Sequence, residues 1–248
     1  MPTPLERVRA LNDRPIAPDG ARVVYWMVAA RRPHASFALE RAVDHARALG
    51  KPLVVLEPLR AGYLHACDRF HRFVLDGMAD HDAFFRARRV AYHPYVEPTP
   101  GEGAGLLEAL ARDACVVVTD DWPCFFVPRM QRAAAVRLAA RLEAVDASGL
   151  LPVGRAGKAF GRAFDFRRLL HRELPSALED WPLTDPTAAE DLAPASVPRA
   201  IAARWPRPSA ALLAGDRGTV EPLPIRHGVA PTDARGGFRA AEARLARF

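Results

Sequence analysis

The sequence predicts an α/β fold: a Rossmann-like, doubly wound parallel sheet of about five strands with flanking helices. Short β-branched runs alternate with segments of helical spacing from residue 22 to about residue 146. This alternation is typical of βαβ units, whose strands lie parallel in one sheet. The runs are apolar almost throughout, which is typical of strands that are covered on both faces.

The predicted elements follow one another in a regular order. The strands cover residues 22–28, 52–56, 88–92, 115–119 and 142–146, and the helices cover residues 34–49, 68–86, 106–112, 129–141 and 162–174. Gly50 is placed to end the first helix, and Pro175 is expected to end the last. The run Cys-Val-Val-Val-Thr at 115–119 is the clearest strand, whereas 88–92 is a weaker one.

Composition shifts divide the chain into four predicted parts. They are an N-terminal extension at 1–21, the α/β domain at 22–180, a proline-rich connector at 181–235 and a terminal helix at 236–248. Prolines recur every few residues in the connector, which limits long helices and central strands. Phe238, Leu245 and Phe248 lie on the apolar face of the terminal helix, which needs a surface to pack against. We therefore expect this helix to be the first of a further domain that is missing.

The overall composition excludes several classes of protein. The chain has 248 residues, of which 50% are hydrophobic and 26% charged, so wholesale disorder is not expected. No apolar run approaches the ~18 residues that cross a bilayer, and the N-terminus does not resemble a signal peptide. The cysteines Cys67, Cys115 and Cys124 have no paired spacing, which favours a reducing compartment and predicts a cytoplasmic location.

The charge balance is basic and comes almost entirely from arginine. There are 35 Lys+Arg residues against 29 Asp+Glu residues, a net charge of +6, and the only lysines are Lys51 and Lys158. Arginine suits phosphate recognition because its planar fork pairs with two oxygens at once. A GC-rich genome produces the same bias, together with abundant Ala, Pro and Gly. The charge therefore permits a nucleic-acid partner without establishing one.

Several motifs that could carry chemistry are incomplete. Gly101-Glu-Gly-Ala-Gly105 lacks the third glycine of a dinucleotide-binding loop, and no P-loop or Gly-x-Ser-x-Gly elbow occurs. His65, Cys67 and His71 lie close together but have no convincing fourth metal ligand. Cys124 has no basic partner nearby in sequence to activate it. The sequence thus predicts no metal site and no catalytic residue.

The best candidate site lies where two predicted strands end. In open parallel sheets, ligands bind beyond the carboxyl ends of strands near the point where strand order reverses. Asp120 ends the strongest strand, and Trp26 and Met27 end the first strand and lead to Arg31. An aromatic residue, a methionine and an arginine there fit a planar anionic cofactor, so Met27, Arg31 and Asp120 are the predicted cofactor-binding residues. The alternative, which their apolar context favours, places Trp26 and Met27 in the core.

A colinear series of segments extends over nearly the whole chain. They are residues 7–12, 23–27, 39–42, 50–55, 69–77, 117–120, 128–129, 145–146, 151–153, 164–175 and 236–248. No single segment is highly specific, but their order and spacing resemble the N-terminal α/β domain of class II DNA photolyases. Asp120-Asp121-Trp122 departs from the plainer strand exit that is usual in that family.

The resemblance implies a function as well as a fold. Photolyases are light-driven carbon–carbon lyases that split cyclobutane pyrimidine dimers in DNA, and the photolyase/cryptochrome α/β domain holds an antenna chromophore, such as a deazaflavin, in some relatives. The family's FAD sits in a C-terminal helical domain that also binds DNA and flips the lesion out. We expect that domain to be absent, so the chain alone should not repair DNA.

Three functional hypotheses follow. The leading one is a photolyase antenna domain that docks on a separate flavin-domain protein through Phe238, Leu245 and Phe248 and meets DNA only indirectly. The second is a stand-alone chromophore-binding, nucleotide-binding or regulatory Rossmann-like protein without lyase activity. The third is a degenerate remnant with only a structural role. An absorption spectrum and the identity of the neighbouring reading frame would separate them.

Overall fold

In the computed structural model, which describes residues 3–188 and 190–248, six strands form one sheet. The strands are β1 (Val8–Ala10), β2 (Arg22–Trp26), β3 (Leu53–Leu59), β4 (Ala91–Val96), β5 (Ala114–Asp120) and β6 (Arg141–Val145). Their order is β1-β6-β5-β2-β3-β4, and only the β1–β6 pair is antiparallel. The predicted α/β fold with a largely parallel sheet is confirmed. Residues 1–2 of the predicted extension and residue 189 of the predicted connector lie outside the described residues.

The sheet has one strand more than the sequence predicts. In β1, Val8 pairs with Val145 and Ala10 with Glu143, so the strand adds an antiparallel edge to β6. The backbone carbonyl of Arg7 extends the pairing by accepting a 2.8 Å hydrogen bond from the Asp146 amide. A three-residue strand has too little pattern to be recognised in sequence, and only the exposed edge of β6 stabilises it.

In the described residues, the first four α-helices cover the two faces of the sheet, and five more follow the last strand. They are α1 (Phe37–Leu49), α2 (Asp68–Arg86), α3 (Leu106–Ala111), α4 (Val127–Arg137), α5 (Ala163–Ala177), α6 (Arg199–Arg204), α7 (Ala210–Leu213), α8 (Arg217–Val220) and α9 (Phe238–Leu245). Helix α1 begins three residues later than predicted because the Ser36 hydroxyl caps it by accepting from the Leu39 amide at 3.3 Å. It ends as predicted at Gly50, whose φ of 62° suits glycine. Helix α5 continues past Pro175 to Ala177.

Two apolar cores lie on opposite faces of the sheet. Along β2, Val23 and Tyr25 face the core that α1 and α2 cover, whereas Val24 and Trp26 face the core that α3 and α4 cover. Every residue of β2 is buried, which explains why its sequence is apolar rather than alternating. Met27 continues the first set and has no exposed surface.

The proline-rich connector packs against the domain through short helices. Ile201 and Trp205 of the α6 region join the core next to α3, while Leu213 and Val220 pack with Leu75 of α2. Its predicted boundaries stay predictions, but these contacts show that the connector contributes to the core. Among the described residues, no helix has both the length and the apolarity to cross a membrane.

Helix α9 is attached to the domain only at its start. The Phe238 ring lies 4.7 Å from the His34 ring and stacks at 6.2 Å on the His81 ring. Gly236 and Gly237 precede it so close to α2 that a Cβ on either would clash with α2 atoms. Leu245, by contrast, is 74% exposed and Phe248 fully so. The predicted apolar face is therefore packed at Phe238 and open to solvent at its far end.

Candidate functional site

The strand order reverses between β2 and β5, which lie side by side in the middle of the sheet. β3 lies beside β2, and β6 lies beside β5 on the opposite side. The carboxyl ends of β2 and β5 therefore form the edge where an open α/β sheet binds its ligands. The segments that leave this edge are residues 27–36 after β2 and residues 121–126 after β5.

Asp120 fastens these two strand ends together. Its Oδ2 accepts hydrogen bonds from the backbone amides of Val28, Ala29 and Ala30 at 2.9, 2.7 and 3.1 Å. Its Oδ1 accepts from the Tyr25 hydroxyl at 2.6 Å. Burial and the adjacent Asp120 carboxylate raise the pKa of Tyr25 well above its ordinary value. Three successive amides pointing at one oxygen make an anion-binding nest, and here the protein's own carboxylate fills it.

Arg31 is held by the buried carboxylate of Glu57, a residue of β3. Its guanidinium donates to Glu57 Oε1 at 2.8 Å and to the Pro58 carbonyl at 2.9 Å. Glu57 Oε2 also accepts from His81 Nδ1 at 2.7 Å and from the Tyr92 hydroxyl at 2.6 Å. Burial alone would raise the pKa of Glu57, but His81 and Arg31 hold it at about 2. The network ties the loop after β2 to α2 and β4.

The three predicted cofactor-binding residues thus have internal roles in the structure. Met27 is fully buried in the core, Arg31 is paired with Glu57, and Asp120 fills the amide nest. Their role in cofactor binding stays a prediction. A ligand at this position would have to displace these partners. None of the three lines the large cavity described next.

A cavity of about 560 Å³ opens at the same edge of the sheet, on the face that α3 and α4 cover. This volume lies within the range of small-molecule sites. Its floor is formed by the strand ends Trp26, Leu56 and Tyr95. Its walls are the glycine-rich loop at 101–105 together with residues of α3 and α4. An apolar cavity with aromatic rings at its base suits a planar ring system.

The glycine-rich loop has no free anion nest either. Buried Glu97 Oε1 accepts hydrogen bonds from the Gly101 amide at 2.9 Å and the Gly103 amide at 3.3 Å. Its Oε2 accepts from the Ala61 amide at 3.0 Å. The loop that resembles a dinucleotide motif therefore directs its amides to a carboxylate of its own chain, so it offers no site for a pyrophosphate. The sequence-based rejection of a nucleotide loop agrees with this geometry.

Positive charge remains at the mouth of the cavity. Arg60, Arg129 and Arg137 line it. Arg60 lies 4.0 Å from Glu97 and Arg137 lies 3.6 Å from Glu108, both with largely exposed side chains. Both contacts are long and both arginine side chains are exposed, so these guanidinium groups can turn to an acidic ligand.

An exposed aromatic loop borders the cavity. Phe126 lines it, and the neighbouring Phe125 is 90% exposed with a φ of 58°, a conformation that costs a phenylalanine free energy. Cys124, weighed above as a nucleophile, is exposed in the same loop. In the part of the chain that the structure describes, no group of three His, Cys, Asp or Glu side chains could hold a metal ion.

Sequence reasoning missed most of the cavity because it placed β4 too early. The strand predicted at 88–92 lies at Ala91–Val96, which moves Tyr95 and Glu97 to its carboxyl end. Trp26 was interpreted as a core residue, and it both packs in the core and lines the cavity. A carboxylate directly before a glycine-rich loop is the signal that could have identified Glu97.

Comparison with known proteins points to the photolyases. No protein-family model matches the chain. Over 115 residues it is 36% identical to the deoxyribodipyrimidine photo-lyase of Methanothermobacter thermautotrophicus, a match that covers 46% of this chain and 25% of the relative. A bacterial class III photolyase from Agrobacterium tumefaciens has a similar fold, with a TM-score of 0.50 and 19% identity, over 79% of this chain and 38% of that protein.

These matches bear on the predicted resemblance in two ways. The similarity to photolyases is confirmed, and the structure is consistent with a photolyase N-terminal α/β domain. The assignment to class II is not confirmed. The match spans about a quarter of the curated relative's length, so the activity of a whole photolyase does not follow from it.

Proposed function

We propose that this photolyase-related chain is a light-harvesting domain that binds a planar antenna chromophore of the deazaflavin type in the 560 Å³ cavity. The observation that carries the proposal is an open, ring-lined cavity at the carboxyl ends of β2, β3 and β4. When bound, such a chromophore absorbs light and passes the excitation energy to a reduced flavin. The residues of this chain would orient the rings and shield them from water.

The cavity favours a chromophore without phosphate groups. Trp26 and Tyr95 form part of the floor although both are largely buried, and the exposed Phe126 adds aromatic surface for a ring system. Arg129 at the mouth can pair with an acidic ring oxygen. The amides that would hold a phosphate are occupied by Asp120 and Glu97. This argues against the alternative of a nucleotide carrier, which would need a free nest or helix N-terminus for its phosphates.

We further propose that the domain acts together with an FAD-binding helical domain that supplies the lyase chemistry. Leu245 and Phe248 are the docking residues that this proposal needs, since both are exposed at the end of α9. Phe238, the third predicted docking residue, already packs on His34 and His81 and would set the direction of the helix. A Leu245→Asp/Phe248→Asp variant should lose affinity for such a domain by tenfold or more.

Binding of the chromophore can be tested directly. Purified protein is titrated with 5-deazariboflavin and, separately, with its 5′-phosphate, and fluorescence quenching gives each Kd. We expect saturable binding of both, with no more than a threefold gain from the phosphate. Ala133→Trp, which fills the cavity, should weaken binding tenfold or more, while Ala139→Trp, exposed but outside the cavity, should not. Absence of saturable binding would overturn the proposal, and a large gain from phosphate would favour the nucleotide carrier.

A further inference from the structure

Helix α5 presents an exposed basic face that the cavity does not use. At 100° per residue, Phe164, Arg167, Arg168, His171 and Arg172 fall on one side of the helix, and all five are exposed. We call these residues the α5 basic face. Leu169 and Ala177, the buried residues of the helix, lie on the opposite side. The helix therefore packs on the domain by its apolar side and turns its cations to solvent.

Four of the cations at and before this face lack acidic partners, whereas Arg172 pairs with Glu173 at 2.7 Å. Residues 158–168 hold Lys158, Arg162, Arg167 and Arg168 against the single carboxylate of Asp165. Within the described residues, none of these four cations has a carboxylate oxygen within 4.0 Å. Elsewhere the chain pairs arginines with buried carboxylates, as in Arg41 with Glu143 at 2.9 Å. Uncompensated charge on one short segment attracts a polyanion at long range.

Aromatic rings lie among these cations. Phe164 is 65% exposed, and the Arg168 guanidinium lies 6.0 Å from its ring centroid. The Lys158 ammonium lies 5.5 Å from the ring centroid of Phe160. Solvent-exposed rings are unfavourable in water unless a partner covers them. Proteins that bind nucleic acids without reading their sequence combine cations along the phosphate backbone with aromatic rings between these cations.

We infer that the α5 basic face, with Lys158 and Arg162, is a DNA-binding surface that contacts the phosphodiester backbone without sequence preference. Arg168 and Arg172 are one helical turn apart, about 6 Å along the axis, so their forks can engage neighbouring phosphates. Phe164 lies one turn before Arg168 on the same side of the helix and can stack on a sugar or an unpaired base. This goes beyond the proposed antenna function, which does not involve α5, and differs from the expectation that DNA is met only indirectly.

DNA is favoured over an acidic protein segment for two reasons. Arg167 and Arg168 are neighbours on a rigid helix, and guanidinium forks pair with phosphate oxygens in a two-pronged manner. The exposed Phe164 ring, with the half-buried Phe160 ring near it in sequence, offers a stacking face, which a run of Asp and Glu side chains cannot use. An acidic polypeptide is therefore kept as the competing outcome of the test.

The test measures binding of the full chain to a fluorescein-labelled 20-base-pair undamaged duplex by anisotropy, at 50 to 200 mM KCl. The Arg167→Glu/Arg168→Glu variant should bind at least tenfold more weakly than the wild type. Its slope of log K against log salt should be shallower by about 2, since each lost phosphate contact removes about 0.9. Arg112→Glu/Arg199→Glu is the matched control, because both residues are exposed and have no acidic partner within 4.0 Å among the described residues.

The outcomes separate the possibilities. Binding that the α5 variant loses and the control retains within twofold supports the inference. Equal loss in both variants, or no salt-dependent binding by the wild type, would overturn it. Poly-glutamate of matched charge that competes as well as DNA would also overturn it in favour of an acidic protein partner. Circular dichroism melts check that the exposed substitutions leave the fold intact, and deazaflavin binding, measured in the same samples, reports the antenna proposal separately.

Discussion

Replacing Asp120 with alanine removes the carboxylate that joins the ends of β2 and β5. Four hydrogen bonds to a charged acceptor are lost: three from the amides of residues 28–30 and one from the Tyr25 hydroxyl. Each bond to a charged group contributes about 1.5–3 kcal/mol. The three amides are half-buried and recover part of this from water, whereas the fully buried Tyr25 hydroxyl does not. We therefore expect the free energy of unfolding to fall by about 3–5 kcal/mol.

Urea unfolding at pH 7, followed by circular dichroism, measures this loss. Asp120→Asn keeps one oxygen for the amide nest and should lose less than Asp120→Ala. Asp121→Ala is the matched control on the next residue, since its pair with the half-exposed Arg9 should contribute less than about 1 kcal/mol. A loss below about 1 kcal/mol in Asp120→Ala would show that the nest does not depend on this carboxylate.

The same variant should also respond differently to a bound anion. Asp120→Ala frees the three amides that Oδ2 occupies, which turns an internally filled nest into an anion site. Sodium sulfate should then raise the thermal midpoint of the variant more than that of the wild type, at matched ionic strength. Equal shifts in both proteins would mean that the amides do not form an anion nest once they are free.

Three further substitutions test the neighbouring structure. The pKa of Glu57 is lowered to about 2 from an ordinary 4.5, so its stabilisation is present above pH 4.5 and is lost as the pH falls toward 2. Glu57→Gln should therefore destabilise the protein by about 2–3 kcal/mol at pH 7. Between pH 5 and pH 2, the urea midpoint of the variant should fall less steeply than that of the wild type, and parallel falls would contradict this. Phe125→Gly relieves a φ of 58° at an exposed residue and should leave thermal stability unchanged or raise it by up to about 1 kcal/mol, whereas Phe126→Gly, at a φ of −85°, should lower it. Ser36→Ala removes the cap of α1 and should cost about 1 kcal/mol in urea unfolding; no change would mean that the start of α1 does not depend on this hydroxyl.

Most elements of the sheet could be predicted because their signals are local. The all-apolar runs at β2 and β5 identify strands buried on both faces, and the structure places both in the centre. Gly50 ends α1 as predicted, since only a residue tolerant of positive φ fits there. The strand β1 and the true position of β4 escaped prediction, because short edge strands depend on a neighbour that is distant in sequence.

The candidate site could be predicted only in part. The sequence directs attention to the carboxyl ends of the central strands, since that edge follows from parallel topology alone. It could not show that Asp120 and Glu97 fill the nests nearest to them. A carboxylate at a strand end has the same sequence signature whether it faces a ligand or its own backbone.

The sequence by itself determined the α/β class, the largely parallel sheet and the likeness to photolyases, because these depend on periodicity and on colinear segments. Only the tertiary structure decided which polar groups are free. Asp120 meets the Val28 amide across 92 residues of chain, and Arg31 meets Glu57 across 26. Such pairings depend on strand order and on which face of the sheet a side chain points to, and the residues that neighbour a polar side chain in sequence specify neither. They moved the candidate site from Met27, Arg31 and Asp120 to the cavity between α3 and α4.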